Sequence, residues 1–229
     1  MEHEVTDMFG RFRSALLSAV SFLLVLALFH TAAWCNAMVV VGPNSPMQYI
    51  EPLSDLPNPS NPTGWTAAIY DVSQDNDKGD TGNGDLSGDW QAGIYGAGYG
   101  DSDDSTLIEQ DGSIYSVYTR ASFTLANAAT IQAMTFEADY DDGYVVWLNG
   151  VEITRSSTMS VVTPRWNAVA GSGHETTGIL SAPIDVSAYV GQLVNGVNVL
   201  AIGIWNDSAG SSDMSLVPRL TLYDAPVSP

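Results

Sequence analysis

Positive charge is what this 229-residue chain has least of: 7 Lys or Arg stand against 26 Asp or Glu, a formal charge of −19. Nucleic-acid binding needs a basic stripe along the phosphates, and the few cations here are scattered among acids, so that class is excluded. Docking on anionic lipid is excluded on the same ground. Cysteine is nearly absent too: Cys35 is the only one, and it lies in a segment expected to be removed. A disulfide framework, a cysteine nucleophile and a zinc site therefore drop out. Helical periodicity is missing as well, since no stretch lays its apolar residues along one stripe. What the chain does have is apolar material, 45% hydrophobic and 10% aromatic, which is enough for a sizeable core and argues against disorder. Its 21 glycines and 11 prolines predict many short elements joined by turns.

The first 37 residues have the layout of a secretory signal peptide. Arg11 and Arg13 precede an apolar run from Ala15 to Phe29, and Cys35-Asn36-Ala37 offers a cleavage site, with Thr31-Ala32-Ala33 as the alternative. Glu2, Glu4 and Asp7 are out of place in such a leader, so translation from Met8 competes with Met1. The run is short for a membrane span of about 20 residues, and His30 interrupts it. Loss of residues 1–37 leaves 192 residues with 5 basic and 23 acidic side chains, net −18, and no cysteine. The expectation is a secreted or periplasmic protein of bacterial type with no membrane attachment after cleavage.

Prolines 43, 46, 52, 57, 59 and 62 predict a linker or extended arm over residues 38–63. A first strand is expected at Gly64–Tyr70, followed by a long acidic, glycine-rich surface loop over residues 71–89. Beyond Trp90 nearly everything has strand character. Met134, Phe136, Ala138 and Tyr140 fall on one face at period two, and Asn149-Gly150 between two β-rich runs predicts a two-residue hairpin turn. Strands are also expected at Tyr115–Leu125, Val197–Trp205 and Ser215–Tyr223. The fold class is therefore all-β, one β-sandwich over residues 64–225.

The succession Tyr99-Gly100-Asp101-Ser102-Asp103-Asp104, Ala138-Asp139-Tyr140-Asp141-Asp142-Gly143-Tyr144-Val145-Val146-Trp147-Leu148-Asn149-Gly150 and Gly196-Val197-Asn198-Val199-Leu200-Ala201 resembles the galactose-binding-domain-like jelly roll of bacterial secreted proteins. It is similar to the sugar-binding domain that precedes the catalytic barrel in β-galactosidases and β-glucuronidases, over about residues 64–224. The resemblance implies a jelly roll that binds glycan at its loop ends, often with a structural Ca²⁺, and is not itself catalytic. Its motifs are turns and core strands, specific for fold more than for activity.

Glycan recognition calls for aromatic platforms and placed polar groups. The loop candidates are Trp90, Tyr95, Tyr99, Trp166, His174 and Glu175, while Trp147 and Trp205 are expected in the core and Arg120 is expected to pair with an Asp. Calcium prefers six to eight hard oxygens from a flexible loop. Asp101, Asp103 and Asp104 are the first candidates, and Asp75, Asp77, Asp80 and Asp85 the second. Asp141 and Asp142 are expected to shape the hairpin entry, a metal role being the alternative. No Gly-x-Ser-x-Gly elbow occurs, and His174 is the only histidine after residue 37. The functional expectation is a non-catalytic, calcium-stabilised carbohydrate-binding module with a polysaccharide partner. One rival is a structural or adhesive protein that forms a homo-oligomer or filament when Val39-Val40-Val41 adds to a neighbour's sheet. The other is a glycan-active enzyme using paired carboxylates.

Overall fold

The computed structural model describes residues 36–56, 60–75, 89–100, 104–108 and 114–225. The leader up to Cys35, and the candidates Asp77, Asp80, Asp85, Asp101 and Asp103, lie outside the described residues. Among those described, no helix is long and apolar enough to cross a membrane.

Twelve strands follow in order: β1 (Ala37–Val41), β2 (Pro46–Ile50), β3 (Gln91–Ile94), β4 (Ala97–Tyr99), β5 (Thr106–Leu107), β6 (Ser116–Leu125), β7 (Ala133–Asp141), β8 (Gly143–Leu148), β9 (Val151–Arg155), β10 (Ile184–Asp185), β11 (Gly196–Trp205) and β12 (Met214–Tyr223). They form two six-stranded sheets. The first runs β10-β7-β12-β4-β5, with β1 also paired to β12, and the second runs β3-β2-β6-β11-β8-β9. The longest ladder of the second sheet joins β6 and β11 without a break from Ser116↔Trp205 to Leu125↔Gly196. That of the first sheet joins β7 and β12.

Between the sheets lies a core of Met134, Phe136, Tyr144, Leu148, Leu200, Ile202, Leu216, Leu220 and their neighbours. Period-two alternation puts the other residues of β8 and β11 on the far side, where most proteins have solvent. Here that face is buried again, in a second cluster built on Trp65, Tyr118, Val145, Trp147, Ala201 and Trp205. β8 and β11 are thus covered on both faces, which is why they read as nearly continuous apolar runs. Trp147 and Trp205 are buried as expected, but in this outer cluster. Gly203 has no substitute here: a Cβ would stand 2.3 Å from the indole of Trp205, whose ring lies across it.

The hairpin turn has the expected chemistry, with Asn149 at φ 52° and Gly150 at φ 90°. Asn149 also ties two distant segments together. Its Nδ2 donates to the Gln192 carbonyl at 2.8 Å and to Asn198 Oδ1 at 2.9 Å, and its Oδ1 accepts from Val199 N at 2.8 Å. Asn198, fully buried, returns bonds from its Nδ2 to the carbonyls of Val194 and Gly196. Two of the three segments that carry the family resemblance are therefore one hydrogen-bonded unit.

Three expectations are corrected. The first part of the arm expected over residues 38–63 is not free: β1 lies on β12 of its own chain and β2 is inserted between β3 and β6. Pro46 is tolerated because it opens its strand. The run available for strand exchange is thereby used internally, and nothing in the structure supports oligomerisation. Gly64–Tyr70 is not a strand, since Thr66 donates from both N and Oγ to the Thr63 carbonyl and closes a 3-10 turn at Gly64–Thr66. Arg120 pairs with no Asp among the described residues. Its guanidinium donates to the carbonyls of Trp65 and Ala67 and lies 5.3 Å from the centre of the Tyr70 ring. Burial lowers its pKa to about 10.

Candidate functional site

The end of β7 is satisfied differently from the rest of the strand. β10 covers only Thr135 and Phe136, and residues 171–182 of the β9–β10 connection take over beyond it. Ser181 N donates to the Ala138 carbonyl at 3.0 Å, and Ala138 N donates to Ser181 Oγ at 3.2 Å. Thr177 N donates to Asp139 Oδ1 at 2.9 Å. His174 lies flat against Tyr140, ring centroids 3.9 Å apart and planes 8° from parallel. Its Nδ1 stands 2.9 Å from the Tyr140 carbonyl oxygen and must carry a proton to bond there.

This segment lines two grooves. One, of about 680 Å³, opens at the edge of the sandwich and is bounded by Tyr140, Tyr144, His174, Arg155, Ser156, Ser157, Thr177 and Ser181. Arg155 is committed to the rim: it grips Glu152 through two 2.7 Å contacts and donates to the carbonyls of Met159, Val161 and Val162. The other, of about 630 Å³, runs over the outer side of the first sheet past Asp104, Glu137, Asp139, Ser215 and Arg219. Asp139, Ile179 and Leu180 belong to both.

Beside these grooves acids gather. Asp141 closes β7, Asp142 follows it through a cis peptide bond, and their roles differ. Asp142 is fully employed: Oδ1 accepts from His174 N at 2.9 Å and Oδ2 from Asp207 N at 2.7 Å, so it holds two loops in place. Asp141 is only 3% exposed, and its Oδ1 makes no hydrogen bond. Burial, followed by the charges of Asp142, Asp213 and Glu175, pushes its pKa up to about 8. Carboxylate oxygens of Asp141, Glu175 and Asp213 all lie within 4.8 Å of one another, a donor set that could hold a metal ion.

The expected site residues are dispersed. Tyr95 is fully buried with its hydroxyl 3.1 Å from Thr119 Oγ1, and Tyr99 is buried with its hydroxyl accepting from Asn206 Nδ2 at 2.8 Å. Both are core, because the short β4 and its approach turn their rings inward between the sheets. Trp90 packs 6.4 Å from Trp65 and 6.2 Å from Tyr70, and Trp166 stands edge-on to Tyr115 at 5.7 Å. These two finish the outer aromatic cluster. His174 lines the edge groove, and Glu175 gathers with Asp141 and Asp213. Asp104 lines the groove on the first sheet, and Asp75 ends the 3-10 turn Val72–Asp75. Asp141 and Asp213, which sequence reasoning did not join, had one signal available. Thr135, Glu137, Asp139 and Asp141 all fall on the face of β7 opposite the core, so the alternation itself marks an acidic outer stripe.

No protein-family model and no curated protein matches the chain. Solved structures similar to it include a β-glucuronidase of an uncultured Clostridium species, at 12% identity and TM-score 0.46, covering 82% of this chain and 29% of that one. A Bifidobacterium dentium β-glucuronidase complexed with coumarin-3-O-glucuronide gives 13% identity and TM-score 0.40, covering 74% of this chain and 20% of the other. A calcium-binding mutant of Bacteroides uniformis β-glucuronidase 2 gives 10% identity and TM-score 0.45, covering 82% and 18%. This chain spans less than a third of each, and likeness of this degree assigns neither a family nor an activity.

Proposed function

We propose that this chain is a non-catalytic, carbohydrate-binding β-sandwich that acts outside the cell, seats glycan in the edge groove and takes calcium as structural support. The composition of the groove carries the reading. Sugars offer C–H faces that pack on rings and hydroxyls that need polar partners, and the stacked Tyr140–His174 pair among Ser156, Ser157, Thr177 and Ser181 supplies both. The motif resemblance noted from the sequence supports the same class, and the expected leader supports export. Binding is favoured over turnover because, among the described residues, Asp139 is the only carboxylate lining this groove, and it already accepts from Thr177, whereas glycoside hydrolysis needs two facing acids.

A glycan array probed in millimolar calcium tests this. Wild-type protein is expected to retain at least one polysaccharide, and His174→Ala to weaken that binding about tenfold. Absence of any bound glycan overturns the proposal, and measurable cleavage of a bound polysaccharide replaces it with the enzyme reading.

A further inference from the structure

We infer that Asp141, Glu175 and Asp213 form a calcium site that fastens residues 171–178 to the sandwich. This rests on the calcium part of the reading above and gives the ion a place other than the contiguous acidic runs expected from the sequence. Two independent observations point to a ligand. Carboxylate oxygens from three separate segments, the end of β7, the β9–β10 connection and the residue before β12, converge within 4.8 Å. Asp141 itself is 97% withdrawn from solvent and its Oδ1 has no hydrogen-bond partner, although a buried carboxylate oxygen left unpaired is costly.

No basic side chain among the described residues fills the gap. Arg120 is spent on the carbonyls of Trp65 and Ala67, Arg155 on Glu152, Arg165 on Asp55 and Arg219 on Glu137, while the described His174 ring faces Tyr140. Asp142 prepares the arrangement. By accepting the amide of His174 it sets the next residue, Glu175, against Asp141. The three ligands grade from buried Asp141 through half-buried Asp213 to exposed Glu175, which leaves an entry from solvent.

The donors are all hard oxygens, which exclude soft metals. Opposite calcium ligands stand about 5 Å apart, twice a bond of 2.3–2.6 Å, so calcium accepts any arrangement inside the observed bound. Magnesium, with bonds of about 2.0–2.1 Å, admits only the tighter part of that range and gives up its waters reluctantly. With three carboxylates supplied, backbone carbonyls and water would complete the shell. The ion would join the two loops that Asp142 positions to the rigid end of β7, and with them His174 and Thr177 of the groove.

The experiment is calorimetric titration of the full chain with calcium alone after chelation, in wild type, Glu175→Gln and Asp213→Asn. Both altered positions are solvent-accessible, so these variants test the site without the folding risk of changing Asp141. One calcium is expected to bind the triad in wild type, with affinity reduced at least about tenfold in each variant. Amide hydrogen exchange across residues 171–178 is expected to slow on calcium addition in wild type only. Calcium binding that the two variants leave unchanged overturns the assignment while leaving the glycan reading intact. Absence of calcium binding in wild type, or exchange that calcium does not alter, overturns it as well.

Discussion

The two outer sides of this sandwich are built on opposite terms. Over the second sheet, Trp65 is stacked on Tyr118 at 4.2 Å, Trp147 and Trp205 stand edge-on to their neighbours, and a buried arginine locks the covering loop down through its carbonyls. Over the first sheet and its edge there are acids, hydroxyls and two grooves. Aromatic side chains, the usual sign of a sugar site, are concentrated on the side that has been sealed. On this molecule they chiefly make a third layer, and the edge groove keeps one stacked ring pair among polar residues.

That contrast can be broken from its strong side first. Trp65→Ala should destabilise the protein by about 3–5 kcal/mol in chemical denaturation, since a fully buried indole and its stacking are lost together. A loss below about 1 kcal/mol would mean that the cap is not part of the folded unit. Arg120→Met should cost about 2–3 kcal/mol, because two buried carbonyls lose a charged donor. Asn149→Asp should cost about 1–2 kcal/mol, since a carboxylate cannot donate to Gln192 or Asn198. On the open side the sign reverses. In chelator, Asp213→Asn should match or slightly exceed wild-type stability, by less than about 1 kcal/mol, as one of three crowded like charges disappears. A lower melting temperature for Asp213→Asn under those conditions would show that the acids stabilise the fold without an ion.

The sequence made one half of this contrast legible. β6, β7, β8, β9, β11 and β12 were visible because each alternates or runs apolar for five residues or more, and Asn149-Gly150 set the hairpin. β1 looked like a run for a neighbour's sheet, and β2 was hidden behind prolines, which mark a strand's edge or first residue as readily as a linker. Tyr95 and Tyr99 looked like loop residues because Tyr95 lies between β3 and β4, and β4, which ends at Tyr99, is three residues long, too short to show a period. The cap escaped notice since its burial depends on which loop folds over which face, and no local pattern states that. The triad escaped for a related reason. Contiguous acids at 71–89 and 101–104 draw the eye, whereas Asp141, Glu175 and Asp213 become neighbours only through the register of β7 on β12 and the path of the β9–β10 connection.

The pairing of β1 with the end of β12 also governs the order of events when the chain folds. Asn36 and Asp224, 188 residues apart in sequence, are joined by two 2.8 Å hydrogen bonds at the head of that ladder. The central ladder, β6 on β11, likewise waits for residues some 80 positions downstream. Loop closure of this length must precede any reward from non-local contacts, so all-β topologies of this kind fold in milliseconds to seconds. Neither sheet can be completed while the chain is still being delivered from one end. The two sheets therefore close only once β11 and β12 are available to pair with β6 and β7.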